Sequence, residues 1–217
     1  MGFTLLADLS PAEQEALQAA ARRRRFARRE VVFHQGDPAD ALHLIAKGRF
    51  GVRATTPLGD SAMFAVLGPG EFFGELGLLR SEPIRTATVV ALEQAETRAL
   101  HRADLARLER EHPAIVDVLL GASAAQVVRL SRCLVEALYV PADRRLLRRL
   151  GELAAVYRRG PEAPTIPLTQ EDLAELAGTS RATVNRVLRE QQRRGVLALR
   201  RGRTVVLEPD RLPSAEG

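Results

Sequence analysis

The sequence predicts an α+β protein with two domains, and three stretches of the chain carry that prediction. Residues 30–100 read as short strands separated by glycine-containing turns, which is typical of a compact β-barrel or roll. A long helix with an apolar stripe follows Pro113, and two short helices joined by a glycine turn occupy residues 168–189. We expect a β-roll domain over 1–111, the long helix over 112–138, a hinge at 139–141 and a second domain over 142–217.

Composition narrows the class of protein. The chain has 217 residues, of which 46% are hydrophobic and 27% are charged, as in a globular protein that buries a core. No apolar run approaches the ~18 residues of a membrane span, and no signal peptide opens the sequence. Cys133 is the single cysteine, which excludes an internal disulfide and a cysteine-rich zinc site. We expect a cytoplasmic protein with no membrane partner and no metal.

Charge is distributed unevenly along the chain. Residues 1–140 carry 17 Lys/Arg and 17 Asp/Glu, so residues 141–217 carry the other 15 (32 − 17) and 10 (27 − 17), and the net +5 lies in the last third. Residues 180–203 contain eight arginines and one acid, Glu190. A basic surface on one domain is the electrostatic footprint of nucleic-acid binding, although a solvated basic face would have the same composition.

Local signals in the first 100 residues predict one helix followed by a series of short strands. Ser10 as N-cap, Pro11 at the first helical position and Glu13 in a capping box predict a helix over residues 9–21. The arginines at 22–25 are interpreted as a solvated helix end and loop. Strands are expected over 31–33, 41–46, 50–54, 62–67, 86–92 and 97–100, with the third and fourth paired. The four histidines lack metal-ligand spacing and are interpreted as structural.

The helix after Pro113 has one apolar stripe about 25 residues long. We predict that the stripe consists of Ile115, Val118, Leu119, Ala122, Gln126, Arg129, Leu130, Cys133 and Ala137. A stripe of this length favours a two-fold dimer seam, and the alternative is a helix that packs only on its own barrel.

The stretch 72–87 contains the candidate small-molecule site. Gly74 and Gly77 allow a tight turn whose backbone N–H groups can face an anion. Arg85 and the Thr86 hydroxyl suit a phosphate, and the Glu75 carboxylate can accept from ribose hydroxyls. These residues predict a nucleotide ligand, with a simple salt-bridged loop between Glu75 and Arg85 as the alternative.

The basic segment reads as a helix-turn-helix. Thr169 and Asp172 begin the first helix, Gly178 permits the turn, and Ser180 caps the second helix. With Val184, Val187 and Leu188 inward, the second helix presents outward the side chains of Arg181, Ala182, Asn185, Arg186 and Arg189. Arginine reads guanine edges, and Thr169, Ser180 and Thr183 are placed to contact phosphates. A β-hairpin wing is expected over residues 195–207.

The run Phe73-Gly74-Glu75-Leu76 followed by Arg85-Thr86-Ala87 resembles the phosphate-binding cassette of cyclic-nucleotide-binding domains. The run Ser180-Arg181-x-Thr183-Val184-x-Arg186, together with the order of cassette, long helix, hinge, helix-turn-helix and wing, resembles the Crp/Fnr family of bacterial transcription regulators over residues 5–210. The resemblance implies ligand contacts at Phe73, Gly74, Glu75, Leu76, Arg85, Thr86, Leu130 and Ser131. It implies DNA contacts at Thr169, Gln170, Ser180, Arg181, Ala182, Thr183, Asn185 and Arg186.

Three departures from the family pattern matter. Ala182 stands where the family commonly has a Glu that accepts from cytosine, so we hypothesise altered discrimination at one base pair. Leu130 replaces the Thr that contacts adenine in cyclic-AMP receptors, whereas Thr86 resembles cyclic-GMP-binding domains. The cysteines of iron–sulfur relatives are absent, so no cluster is expected.

The sequence therefore predicts a homodimeric, DNA-binding transcription regulator controlled by a cyclic nucleotide, with cyclic AMP favoured over cyclic GMP. RNA polymerase is a partner implied by the resemblance, with the loop at 158–167 as a candidate contact. One alternative is a regulator of this family with a vestigial cassette. An enzyme or channel subunit is disfavoured, because no catalytic constellation appears and the two domains use the whole chain.

Overall fold

The computed structural model describes residues 9–79, 81–158 and 160–213. The chain divides into two compact units, Met1–Leu130 and Ser131–Gly217. The division falls inside the long helix, which contributes residues to both units.

The first unit is a β-roll with four helices. Its helices are α1 (Pro11–Ala20), α2 (Glu75–Leu78), α3 (Arg102–Glu111) and the start of α4 (Ala114–Tyr139). Its strands are β1 (Arg22–Phe26), β2 (Val31–Phe33), β3 (Ala41–Lys47), β4 (Phe50–Thr55), β5 (Ser61–Leu67), β6 (Phe72–Phe73), β7 (Thr88–Ala91) and β8 (Ala95–His101). Ser10 caps α1 in a complete capping box with Glu13, as the sequence predicts.

The strands form two antiparallel sheets of four. One sheet has the order β1-β8-β3-β6 and the other β2-β7-β4-β5. Phe26, Phe50 and Phe73 fill the interior between strands of both sheets, while Leu42, Leu44 and Leu100 pack under α1, α3 and the start of α4. The stretch 72–87 packs on this core through Phe73 and Leu78.

The arginine run at 22–25 was predicted to be a helix end and loop, and that prediction is wrong. It forms the edge strand β1, which pairs along its length with β8 from Arg22–Ala99 to Phe26–Ala95. Phe26 is buried and the four arginines are exposed. The buried Phe26 side chain anchors this strand to the core. The charged side chains do not prevent pairing, because charged residues are common on edge strands.

The long helix α4 ends at Tyr139, and α5 begins at Ala142, so the break at Pro141 lies where the sequence predicts it. The stripe expected at a dimer seam is corrected for two of its residues. Ile115 and Leu119 are buried within the chain's own core. The exposed apolar face carries Leu120, Val127, Leu134 and Leu138, all more than half exposed.

Within the described residues, α4 is also long and apolar enough to cross a membrane by length and composition. The expectation that no run approaches such a span is corrected on that point. Leu120, Ala124, Val127, Ser131, Leu134 and Leu138 recur at alternating spacings of four and three residues. That heptad spacing is the pattern of a helix–helix seam.

The second unit is a winged helix-turn-helix. It contains α5 (Ala142–Tyr157), β9 (Thr165–Ile166), α6 (Gln170–Ala177), α7 (Arg181–Arg193), β10 (Leu197–Arg200), β11 (Arg203–Val206) and a 3-10 turn (Pro209–Arg211). The wing pairs β10 with β11, and β9 joins it as a third strand. The stretch 158–167 was expected to be a loop throughout, so β9 is a correction there.

Candidate functional site

A cavity of about 840 Å³ opens beside the predicted cassette in the first unit. Strands β4 to β6 and helix α2 form one wall, and α4 forms the other. Of the predicted ligand residues, Phe73, Gly74, Glu75, Leu76 and Thr86 line it. Arg85, Leu130 and Ser131 do not.

Gly74 fixes the turn at the cavity wall. It has φ 93° as the N-cap of α2, in the left-handed region that suits glycine. A Cβ at this position would lie 2.6 Å from Nη1 of Arg85 and 3.0 Å from the carbonyl oxygen of Ala41. A larger residue at this position would therefore force the Arg85 guanidinium to move, in addition to the strain of the positive φ.

Arg85 lies one layer behind the cavity wall. It is 2% exposed. Its Nη2 donates to Asp40 Oδ1 at 2.6 Å, and its Nη1 donates to the carbonyls of Ala41 at 2.8 Å and Gly74 at 3.2 Å. The guanidinium carbon lies 3.9 Å from the ring centroid of Phe33. Arg85 thus pairs with Asp40, whereas the sequence left a Glu75–Arg85 salt bridge open.

One donor of Arg85 has no acceptor among the described residues: its buried Nε. A buried donor without a partner destabilises the folded state by about 1–3 kcal/mol. Burial lowers the pKa of Arg85, and the Asp40 carboxylate opposes that shift. The positive charge is retained because a guanidinium does not deprotonate in proteins. An anionic oxygen at Nε would satisfy this donor.

Glu75 and Phe73 have different roles in the wall. Burial raises the pKa of the Glu75 carboxyl, with Arg85 acting weakly in the opposite direction. Phe73 is buried and stacks on His43 with ring centroids 5.0 Å apart. Burial lowers the pKa of His43 to about 3, so that imidazole is neutral at physiological pH. Its neutrality and its bond to Thr97 fit the structural role predicted for it.

The α4 wall differs from what the resemblance implies. Leu130 is 38% exposed and Ser131 is exposed, and both lie outside the cavity lining. The polar residues that do line it from α4 are Asp117, Gln126 and Arg129. Nη2 of Arg129 donates to Gln126 Oε1 at 2.6 Å, and Nη1 donates to the Phe64 carbonyl at 2.8 Å, which ties α4 to β5. Sequence reasoning had assigned Gln126 and Arg129 to a dimer seam.

The helix-turn-helix is built by two caps and one glycine. Thr169 caps α6 in a capping box with Asp172, and its hydroxyl donates to Asp172 Oδ2 at 2.7 Å. Gly178 ends α6 at φ 58°. Ser180 caps α7 and accepts from the Thr183 amide at 3.1 Å. Thr169 therefore uses its hydroxyl hydrogen within the fold, and Gln170 is the first residue of α6.

Helix α7 separates a buried face from an exposed one, as the sequence predicts. Val184, Val187 and Leu188 are buried, and Gln191 joins them. The exposed face carries Arg181, Ala182, Asn185, Arg186 and Arg189. Nη2 of Arg186 lies 3.0 Å from Oδ2 of Asp143 in α5. A basic helix face of this shape can enter the major groove of DNA.

Arg145 holds the helix-turn-helix to the segment before it, and sequence reasoning missed it. Its Nε donates to the Ala177 carbonyl at 3.0 Å and its Nη2 to Gly178 at 2.8 Å. Its Nη1 donates to Val140 at 2.8 Å and Ala137 at 3.2 Å. Nothing local in the sequence distinguishes it from its neighbour Arg144, since all its acceptors are backbone carbonyls and two of them, at Ala177 and Gly178, lie 32 and 33 residues away.

Comparison with protein-family models agrees with both halves of the chain. Residues 23–112 match the cyclic nucleotide-binding domain, and residues 144–214 match the Crp-like helix-turn-helix domain. The chain belongs to the Crp/Fnr family of transcription regulators. This family consists of regulators and not of enzymes.

Relatives within the Crp/Fnr family cover nearly the whole chain. The cyclic AMP receptor protein of Thermus thermophilus is 35% identical over 207 residues, which cover 95% of this chain and 94% of that one. A CRP-like cAMP-activated global transcriptional regulator of Mycobacterium tuberculosis is 28% identical, covering 86% and 84%.

Solved structures of Crp/Fnr proteins share the fold. The c-di-GMP-responsive regulator CLP of Xanthomonas campestris has a TM-score of 0.79 at 24% identity, covering 91% of this chain and 99% of that one. The Thermus thermophilus catabolite activator protein has a TM-score of 0.55 at 34% identity, covering 95% of each.

Proposed function

We propose that this Crp/Fnr protein is a homodimeric, sequence-specific regulator whose DNA binding is controlled by a cyclic nucleotide in the first-unit cavity. One observation carries the ligand part of the proposal. Arg85 is buried directly behind Gly74 with its Nε lacking an acceptor, while Glu75 and Thr86 line the adjoining cavity. The cyclic phosphate binds at Arg85 and Thr86, and Glu75 accepts from the ribose 2′-hydroxyl.

Cyclic AMP is favoured over cyclic GMP. The support comes from two relatives: the cyclic AMP receptor protein of Thermus thermophilus, which is 35% identical, and the cAMP-activated regulator of Mycobacterium tuberculosis. The opposing argument is Thr86, which resembles the threonine at the same position of cyclic-GMP-binding domains. Leu130 and Ser131 lie outside the lining of the chain's own cavity, so within one chain we assign selection of the base to the α4 residues that line it, Asp117, Gln126 and Arg129.

In the DNA-binding half, α7 is proposed as the recognition helix. Arg181 and Arg186 read bases, Ser180 and Thr183 contact phosphates, and Asn185 lies between them on the exposed face. Ala182 supplies no acceptor, which predicts relaxed discrimination at one base pair of the half-site. Gln170, the first residue of α6, contacts the sugar–phosphate backbone of the DNA, and Thr169 positions it by capping the helix. RNA polymerase is the proposed protein partner, and the cytoplasm the proposed location.

A second candidate is a regulator of the same family that ignores nucleotides. The observation in its favour is that Asp40 and two backbone carbonyls already engage Arg85. DNA binding that is salt-dependent but unchanged by nucleotide would select this candidate.

Calorimetric titration of the purified protein with cyclic AMP and cyclic GMP tests the proposal. We expect micromolar binding of cyclic AMP, weaker binding of cyclic GMP, and loss of both in Arg85→Ala. A third titration with cyclic di-GMP is informative because a protein of the same fold responds to it. Absence of heat with every nucleotide from folded dimer contradicts the proposed ligand and leaves the DNA-binding role standing.

A further inference from the structure

An ion pair in the second unit joins the proposed recognition helix to the helix before it. Nη2 of Arg186 on α7 lies 3.0 Å from Oδ2 of Asp143, in the first turn of α5. The two side chains are 57% and 49% exposed. The Arg186 guanidinium donates a hydrogen bond to the Asp143 carboxylate and so lowers the pKa of that carboxyl, which is charged at neutral pH.

This pair contributes little to the stability of the fold. Exposed ion pairs contribute little because water screens both charges, and the contact here is one nitrogen–oxygen pair and not a bidentate one. The core that holds α5 against α7 is apolar instead, with Leu146, Leu150, Val184 and Leu188 all buried. Because the ion pair is not needed to hold α5 against α7, we look for its role in the binding of DNA by α7.

Asp143 brings a negative charge to a surface that otherwise carries positive charge. Residues 180–203 hold eight arginines and only Glu190, and Glu190 pairs with Arg194. Residue 182, next to Arg181, is an alanine, so the exposed start of α7 has no carboxylate of its own. The carboxylate of Asp143 comes from a different helix and reaches Arg186, which is one of the two proposed base-reading arginines.

A carboxylate in that place acts differently on the two modes of DNA binding. Nonspecific binding comes from cations that neutralise phosphates, and an arginine held by Asp143 is withheld from them. Specific binding adds base contacts, and a guanine edge offers Arg186 two acceptors in return for the one it gives up. Release of Arg186 is therefore compensated at a cognate site and poorly compensated elsewhere.

We propose that Asp143 is a specificity-determining residue: it holds Arg186 away from phosphates in nonspecific complexes and yields it only to a cognate base edge. The inference rests on the proposed role of α7 and is independent of the nucleotide site. Asp143 acts through Arg186, so it is a positioning residue and makes no DNA contact of its own.

The test uses the full-length protein and fluorescence anisotropy on two duplexes, one of random sequence and one obtained by binding-site selection. Each is measured with and without cyclic AMP and cyclic GMP, over a range of salt. In Asp143→Asn we expect random-duplex affinity to rise about 3- to 10-fold at low salt. We also expect the magnitude of its logarithmic salt slope to grow by about 0.9, the value for one more neutralised phosphate. Cognate affinity should change less than about 3-fold, so the specificity ratio falls.

Two variants separate this mechanism from a plain change of charge. Glu162→Gln removes an exposed carboxylate of the same unit and should alter neither the slope nor the ratio. In an Arg186→Gln background, Asp143→Asn should have no further effect. An equal rise in that background, a rise equal to that of Glu162→Gln, or a fall in cognate affinity in Asp143→Asn overturns the proposal.

The outcomes also separate the inference from the function on which it rests. If Arg186→Gln leaves cognate affinity unchanged, the assignment of Arg186 as a base-reading residue fails, and the role of Asp143 fails with it. If Arg186→Gln weakens cognate binding while Asp143→Asn changes nothing, only the role of Asp143 fails. Thermal melting of each variant establishes that the fold is retained.

Discussion

At the scale of single residues, Glu75 connects the chemistry of the cavity to the stability of the fold. Burial raises the pKa of its carboxyl in the folded state, so the folded protein binds a proton more tightly than the unfolded chain does. Stability from this group is therefore present at low pH and is lost as pH rises through the folded-state pKa. In its ionised form the buried carboxylate destabilises the fold, and the proposed ribose contact explains its presence.

Glu75→Gln should then separate stability from ligand binding. We expect a higher melting temperature than wild type at pH 7, with the difference shrinking as pH falls below the folded-state pKa. Loss of a charged acceptor should weaken cyclic AMP binding by about 10-fold or more. Melting curves from pH 4 to 8 and calorimetry measure both effects. A lower melting temperature at pH 7 would contradict the burial argument.

Gly74 offers a steric test with a matched control. Gly74→Ala should destabilise the first unit by about 3 kcal/mol, because it adds a clash with Arg85 to the strain of a positive φ. Gly59→Ala has the same φ of 93° and no atom within 4 Å of the new Cβ, so it should cost about 1 kcal/mol. Urea unfolding gives both values. Similar losses in the two variants would mean that the close approach to Arg85 is unimportant.

Residues that carry a local signal could be predicted, and residues that act across the fold could not. Gly74, Glu75 and Thr86 were found because the cassette is contiguous, and the structure places all three at the cavity. Leu130 and Ser131 were assigned from the family resemblance alone, which says nothing about the rotation of α4. Asp40 lies 45 residues from Arg85, and only the pairing of chain segments brings the two together.

At the scale of elements, the same limit explains the two main corrections. The β1 strand has four exposed arginines and no alternation beyond Phe26, so its identity comes from its pairing with β8. The α4 stripe was predicted as one seam, yet the helix has two apolar faces, one against its own β-roll and one exposed. Periodicity shows that a face is apolar and cannot show which partner covers it.

The joint between α4 and α5 is an element-scale feature whose stability depends on Arg145. Its four carbonyl acceptors lie at the end of α4, at Val140 and in the turn after α6. Arg145→Ala leaves those carbonyls without their charged donor, and we expect a loss of about 3 kcal/mol and weaker DNA binding. Arg144→Ala, at the exposed neighbouring position, should stay within about 0.5 kcal/mol of wild type. Denaturant unfolding measures the free energy of unfolding of both variants. Equal losses in the two would show that Arg145 does not stabilise the joint between α4 and α5.

At the scale of the whole molecule, the exposed face of α4 is the strongest argument for a dimer. Leu120, Leu134 and Leu138 are 57%, 61% and 66% exposed. Large apolar side chains recurring at heptad spacing on one helix are rarely left in water. A second copy of α4 would cover them about a two-fold axis.

Leu134→Asp tests this arrangement, because it puts two carboxylates against each other at the centre of the proposed seam. We expect the variant to be monomeric at micromolar concentration by sedimentation, with at least about 100-fold weaker binding to a two-half-site duplex. Binding to a single half-site should change little, because each recognition helix is intact. Leu58→Asp, at a 92% exposed position in the β4–β5 turn, adds the same charge away from the seam and should remain dimeric. A dimeric Leu134→Asp protein with unchanged DNA affinity would place the interface elsewhere and leave the exposed face of α4 without a role.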